Sequence, residues 1–479
     1  METMILKHQV GGQAVDTEAA NIHASPGDPT DLEVRFGEGD ASLIEAAIAA
    51  ARGAACQWQA AGIERRSDAL QQISRTLREQ SQSLAMLIAR ETGKTLRDAL
   101  AEVVRASRIF DFFAAEALRN VGEKFESVRV GASVEVAHQA LGVIGIITPW
   151  NFPVAIPAWK IAPALAFGNA VVWKPSELAS ATAAAMTGII QSAGLPAGTV
   201  NLVLGGSACG ETLCNSAGLD ALTFTGSESA GRRIRQATSQ SGIRLQQEMG
   251  GVNGLIVLAD AHLETAAACA VNGAYFAAGQ RCTATSRIIV ADEVADALIS
   301  RISQAARSLV VGDPRDAATD LGPLASKRQQ AMISRSAQGL VDGGYCDLLE
   351  GGAQDGPGAY FRPMLFDHVR PDAELAQKEI FGPVAGLFRV RDYDEALAVL
   401  NNTPFGLAAG ICTTSLAKAE AFKLGARAGM LMVNLPTAGV DYHAPFGGVG
   451  SSSYGLREQG RAARAFYTQS KTIYQQATP

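Results

Sequence analysis

Cys282 lies in the stretch Gly279-Gln280-Arg281-Cys282-Thr283. A cysteine attacks as its thiolate, so burial and neighbours decide between a nucleophile and a small buried hydrophobe. Five other stretches offer partners. Asn151, in Pro149-Trp150-Asn151-Phe152-Pro153, follows an apolar run at 143–148. An amide at a strand's carboxyl end can donate to a developing oxyanion, or simply cap a turn between two prolines. Glu248, in Gln247-Glu248-Met249-Gly250-Gly251, can act as a general base if an apolar cleft raises its pKa, and is otherwise a surface carboxylate. Lys174-Pro175-Ser176-Glu177 can bind ribose hydroxyls or a phosphate, or form a solvated ion pair. Thr223-Phe224-Thr225-Gly226-Ser227-Glu228 reads as strand, glycine turn and helix start, where free N–H groups attract a pyrophosphate. Its spacing is not Gly-x-Gly-x-x-Gly, so the common dinucleotide fingerprint is absent. Glu379-Ile380-Phe381-Gly382-Pro383 offers a carboxylate and an aromatic that can pack near a cofactor ring, or a loop with a buried Phe.

These residues need strand ends to hold them. Short apolar runs at 143–148, 170–174, 200–204 and 221–225 alternate with helical stretches, the pattern of a parallel sheet covered on both faces. A second β/α series starts near 255 and includes 287–290. Upstream, 41–120 reads as helical, with apolar residues at three- and four-residue spacing such as Leu43, Ala47, Ile48 and Ala51. A second helical block there runs through Leu84, Leu87 and Ile88 and onward past Gly93-Lys94. Alternation at 127–130 and 133–137 around Gly131 predicts a hairpin. The tail from Phe466 to Tyr474 reads as a last strand that needs a partner, from this chain or another subunit.

At 479 residues the chain exceeds a single core, which stops growing at roughly 250–300 residues, so two large lobes are expected. It is 47% hydrophobic and 18% charged with net charge −6, which fits an α/β enzyme and gives no footprint for nucleic acid or an anionic membrane. The seven cysteines are scattered, without Cys-x-x-Cys or zinc spacing, so no metal is expected and a reducing cytoplasm is the natural setting. Met1-Glu2-Thr3-Met4-Ile5-Leu6 is too short in apolar residues for a signal peptide. No uncharged apolar run reaches the roughly 18 residues of a membrane span.

Taken together and in order, Pro-Trp-Asn-Phe-Pro, Lys-Pro-Ser-Glu, Phe-Thr-Gly-Ser, Glu-Met-Gly-Gly, Gly-Gln-Arg-Cys, Glu-Ile-Phe-Gly-Pro and Pro-Phe-Gly-Gly at 445–448 resemble the aldehyde dehydrogenase superfamily over nearly the whole chain. The resemblance implies an α/β fold with a Rossmann-type cofactor domain (1–121 and 139–249), an α/β catalytic domain (250–446) and a small β oligomerisation element (122–138 and 464–479). It implies oxidation of an aldehyde by NAD or NADP in a homodimer or homotetramer. Cys282 is then the nucleophile, Asn151 the oxyanion donor and Glu248 the base. Trp150, Lys174, Ser176, Glu177, Gly226, Ser227, Glu379 and Phe381 would bind the cofactor. Relatives carry Lys or Asn after the Gly-Gly pair where this chain has Val252, a change that touches no catalytic group. A CoA-acylating relative generally lacks a base at the position of Glu248, and a non-catalytic relative would lose it or Cys282. Both residues are present.

Relatives acting on succinate semialdehyde hold its carboxylate with two arginines, whose positions are Trp159 and Phe276 here. Instead, residues 279–287, 434–443 and 452–455 resemble the branch acting on 2,5-dioxopentanoate (α-ketoglutaric semialdehyde). Other semialdehydes and neutral or aromatic aldehydes are the alternatives. Arg281 can then meet the substrate carboxylate, or pack against its own domain. Trp159, Phe276 and Phe446 are expected as apolar pocket walls, with core packing as the alternative.

Overall fold

The computed structural model describes residues 1–119 and 122–476. The expected domain boundary at 121 and the end of the last segment, 477–479, lie outside the described residues. The first large sheet has eight strands. Its parallel core runs, edge to edge, Arg244–Glu248, Ala221–Thr225, Val143–Ile147, Ala170–Lys174 and Val200–Leu202. Val143–Ile147, Ala170–Lys174 and Ala221–Thr225 are buried along their whole length, as strands covered on both faces must be. From the central strand Val143–Ile147 the chain winds outward to Val200–Leu202, then returns to the other side at Ala221–Thr225. The order therefore reverses between Val143–Ile147 and Ala221–Thr225, and a crevice opens beyond their carboxyl ends.

The second large sheet has seven strands in the order Asp347–Ala353, Phe361–Asp367, Val384–Val390, Thr285–Ala291, Asn253–Val257, Ala408–Cys412 and Met430–Val433. All its neighbours are parallel except Asp347–Ala353. Asn253–Val257, which starts just after Glu248, carries the chain into this sheet. Among the described residues no helix is long and apolar enough to cross a membrane, and no cluster of three or more His, Cys, Asp or Glu is placed to hold a metal.

Four helices, Ala41–Ala60, Gly62–Glu79, Ser81–Thr92 and Leu96–Ala117, form the expected helical region. The block does not run through Gly93 as the apolar spacing suggested. Gly93 takes φ +80° as a left-handed cap, its N–H closing on Ala89, and Thr95 starts a new helix. The hairpin is present but its first strand is Glu123–Glu126, paired with Ala132–Ala140. Residues 127–130 form the turn instead, because Ser127 Oγ accepts from Arg129 N at 3.1 Å and Gly131 takes φ +79°. Val128 and Val130 are consequently fully exposed. The last strand, Thr468–Gln476, finds its partner within the chain, antiparallel to Ala132–Ala140. Five N-terminal strands, three in a small sheet of their own and two added to the first large sheet, lie outside the elements expected from the sequence.

Candidate active site

A cleft of about 690 Å³ lies at the crevice and extends to the start of the second sheet. It is lined by Trp150, Asn151, Lys174, Ser176, Glu177, Gly226, Ser227, Cys282, Glu379 and Phe381, so one surface collects all but one of the expected catalytic and cofactor residues.

The exception is Glu248. It ends its strand, 2% exposed, with its carboxylate turned to Ser453, whose hydroxyl donates to it. Gly447 leaves it room there, since a Cβ on Gly447 would stand 2.6 Å from Glu248 Oε1. Burial and the neighbouring Glu458 hold its pKa well above the usual carboxylate range. It remains within electrostatic reach of Cys282.

Cys282 is half-buried. Burial, then the charges of Glu379 and Glu248, push its thiol up to about 12, so it is protonated at neutral pH until a base takes the proton. Glu379 is itself raised to about 8 by burial, and accepts from Gly251 N at 3.1 Å. Asn151 is buried and donates through Nδ2 to Gln280 O at 2.9 Å, which ties it to the loop before the nucleophile and leaves a second N–H on the same nitrogen. That loop is strained: Ala277 and Ala278 both take φ +53°. Gly279 follows at φ +65°, where a Cβ would overlap the carbonyl of Gly382. We therefore expect Gly279→Ala to cost about 2–4 kcal/mol in urea denaturation and to lower activity in the protein that still folds.

At the far end of the cleft Lys174 is buried, which lowers its pKa, with Nζ 4.0 Å from the half-exposed Glu177. Ser176 caps the turn that carries Glu177. Ser227 caps helix Glu228–Thr238, whose first N–H groups open onto the cleft beside Gly226. Phe381, at φ +56°, meets Trp150 edge-on with ring centres 5.6 Å apart. The donors, the helix start and the volume fit a dinucleotide.

The expected substrate-pocket residues divide. Trp159 and Phe446 face each other at 5.8 Å, and Phe446 belongs to an apolar cluster against which Cys282 packs. Neither ring lines the 690 Å³ cleft, and both are buried. Arg281 does not reach outward. Its Nη2 donates to the carbonyls of Asn272 and Gly273, at 2.6 and 3.0 Å, near the end of helix Leu263–Tyr275. Its guanidinium lies 4.7 Å over the Phe276 ring. Helix-end carbonyls are the natural seat for a cation, so of the two expectations for Arg281 these contacts match the packing against its own domain, with Phe276 beneath the guanidinium.

Two supporting residues escaped the sequence reading. Glu102 Oε1 accepts from Val154 N and Ala155 N at 2.8 and 3.0 Å, holding the helix start just after Asn151. Lys94 pairs with Glu102, its ammonium 3.8 Å over the Phe152 ring. Glu91, fully buried, accepts from Ala181 N and Thr182 N and fixes the helix behind Lys174 and Glu177. The available signal was a carboxylate on the apolar face of each helix.

Two α/β lobes with a cysteine and a dinucleotide-sized cleft between them define the class. Residues 24–473 match the aldehyde dehydrogenase family, and the chain belongs to it: NAD(P)+-dependent oxidoreductases that convert an aldehyde to a carboxylate. It is 38% identical over 474 residues to an alpha-ketoglutaric semialdehyde dehydrogenase of Bacillus subtilis, covering 97% of each chain. It is 35% identical over 476 residues to an alpha-ketoglutarate semialdehyde dehydrogenase of Haloferax volcanii, covering 98% of each. An NAD-dependent aldehyde dehydrogenase from Sinorhizobium meliloti shares the fold with a TM-score of 0.95 at 30% identity, over 100% of this chain and 96% of that one.

Proposed function

We propose that this enzyme oxidises 2,5-dioxopentanoate to the dicarboxylate through a thioester on Cys282. The reading is supported above all by Cys282, Asn151 and Glu379 lining one cleft, in a chain 35–38% identical to two relatives that carry the name of that semialdehyde. Cys282 attacks the aldehyde carbon to give a thiohemiacetal. The free N–H of Asn151 and the backbone amide of Cys282 hold its oxyanion, each donor worth roughly 3–4 kcal/mol in comparable sites. NAD+ or NADP+, when bound, supplies the hydride acceptor. Glu248, once its carboxylate swings from Ser453 toward Cys282, deprotonates the water that opens the thioester, two easier steps replacing a hard one.

Lys174, Ser176 and Glu177 hold the adenosine ribose, Gly226 and Ser227 the pyrophosphate, and Trp150, Glu379 and Phe381 surround the nicotinamide end. Glu177 can accept both ribose hydroxyls, which favours NAD+. Half-exposed, it can also swing away and leave Lys174 and Ser176 to a 2′-phosphate. Residues 1–121 with 139–249 act as the cofactor domain and 250–446 as the catalytic domain. Residues 122–138 with 464–479 join subunits, through the outer edge of Thr468–Gln476, into a homodimer or homotetramer in the cytoplasm.

A kcat/KM panel with both cofactors tests the substrate. We expect 2,5-dioxopentanoate to exceed betaine aldehyde and benzaldehyde by about tenfold or more. A preference for the neutral aromatic aldehyde would end the proposal.

A further inference from the structure

Arg281 commits its Nη2 to two helix-end carbonyls and leaves only its buried Nε without a partner, whereas a second guanidinium, that of Arg105, leaves both Nε and Nη2 free for a carboxylate. Helices Leu96–Ala117 and Ala155–Ala166 pack along one another. Glu102 meets residues 154 and 155, and further along Phe113 meets Phe167 at 6.5 Å between ring centres. The two helices therefore run parallel and in step. By that register Arg105, one turn beyond Glu102, comes level with residues 157–159. The loop before Phe446 closes over the same place: Tyr442 meets Phe112 at 6.3 Å, and Asp441 acts on Arg105 electrostatically. Trp159 packs against Phe446, their rings tilted by 32°, and Phe446 joins the apolar cluster at Cys282.

In this setting three buried donors have no hydrogen-bond partner: Nε and Nη2 of Arg105, and Nε1 of Trp159. A buried guanidinium edge and an indole N–H left unsatisfied are costly unless something satisfies them, and a guanidinium edge matches the two oxygens of a carboxylate. The charged groups acting on Arg105 are Asp441, exposed on the covering loop, and Glu102, already committed to Val154 N, Ala155 N and Lys94.

We propose that Arg105, with the indole N–H of Trp159, binds the carboxylate of the substrate while its aldehyde end faces Cys282. This makes Arg105 the residue that selects acid semialdehydes over neutral aldehydes of the same length. The inference rests on the semialdehyde reading above and assigns it a binding group.

The test compares wild type with Arg105→Met and Arg105→Lys on 2,5-dioxopentanoate and on pentanal, a neutral five-carbon aldehyde. Arg105→Met is expected to lose about 100-fold in kcat/KM for the acid, mostly through KM, and less than about threefold for pentanal; Arg105→Lys should fall between. Equal losses on both aldehydes, or no loss on the acid, overturn the assignment. A second measurement separates this from the substrate reading: inhibition of pentanal oxidation by glutarate, which needs only a carboxylate site. Glutarate inhibition in wild type that weakens in Arg105→Met supports the site even if 2,5-dioxopentanoate is a poor substrate, in which case only the substrate reading fails. Glutarate inhibition that both variants keep unchanged overturns the site whichever aldehyde is preferred. If Arg105→Met does not fold, Arg105→Lys carries both comparisons.

Discussion

Cys282→Ala is expected to lower aldehyde oxidation by a factor of about 10⁴ or more while leaving the cofactor bound. Two thiols, Cys214 and Cys282, line the cleft, and Cys282 is the one on the loop to which Asn151 is tied through Gln280 O at 2.9 Å. Without sulfur the oxyanion donors have no tetrahedral adduct to stabilise, so the loss should fall in kcat. The cofactor residues Lys174, Glu177, Gly226 and Ser227 lie along the cleft on the first sheet and its loops and are untouched by the change. Quenching of Trp150, whose ring lines the cleft, should therefore report NAD+ binding within about threefold of wild type. Release of reduced cofactor on adding aldehyde gives the rate. A variant that keeps more than about a hundredth of the wild-type rate would mean that another group makes the first bond.

What the sequence made legible follows from chain locality. The strand ends at 148–151, 174–177 and 225–227 could be read because each apolar run is short, fully buried and closed by Pro or Gly. The motifs stand on those ends, so finding the strands nearly places the site. The direction of Arg281 could not be read. Its neighbour in sequence is Cys282, but its partners are the carbonyls of Asn272 and Gly273, exposed only because the helix ends at Tyr275. Glu102 and Glu91 escaped for a related reason. Each is a carboxylate on an otherwise apolar helix face, and its use appears only when a second helix start arrives from 50 to 90 residues away in sequence. The hairpin shows the opposite error: alternation at 127–130 is real, but one Ser127 hydroxyl bond to Arg129 N turns it into a loop.

Glu248→Gln should divide the reaction at its thioester. Gln keeps the shape beside Ser453 and Gly447 but cannot accept a proton, so the first turnover should proceed and the second should stall. The expected result is a burst of one reduced cofactor per subunit, followed by a steady rate lowered by about 10²–10⁴. Hydroxylamine, a nucleophile that needs no base, should restore turnover by taking the acyl group from Cys282. The pH dependence carries a definite sign. Burial and Glu458 raise the Glu248 pKa well above the usual range, so at low pH the group is protonated and cannot serve as a base. Wild-type steady-state turnover should therefore climb as pH rises through that raised pKa, and in Glu248→Gln this limb should be absent. If the burst itself disappears in the variant while NAD+ still binds, Glu248 acts before the thioester forms, as the group that takes the proton from a thiol held near 12, and water activation passes to another carboxylate. Glu379, at about 8 and lining the same cleft, is the group in position to inherit it.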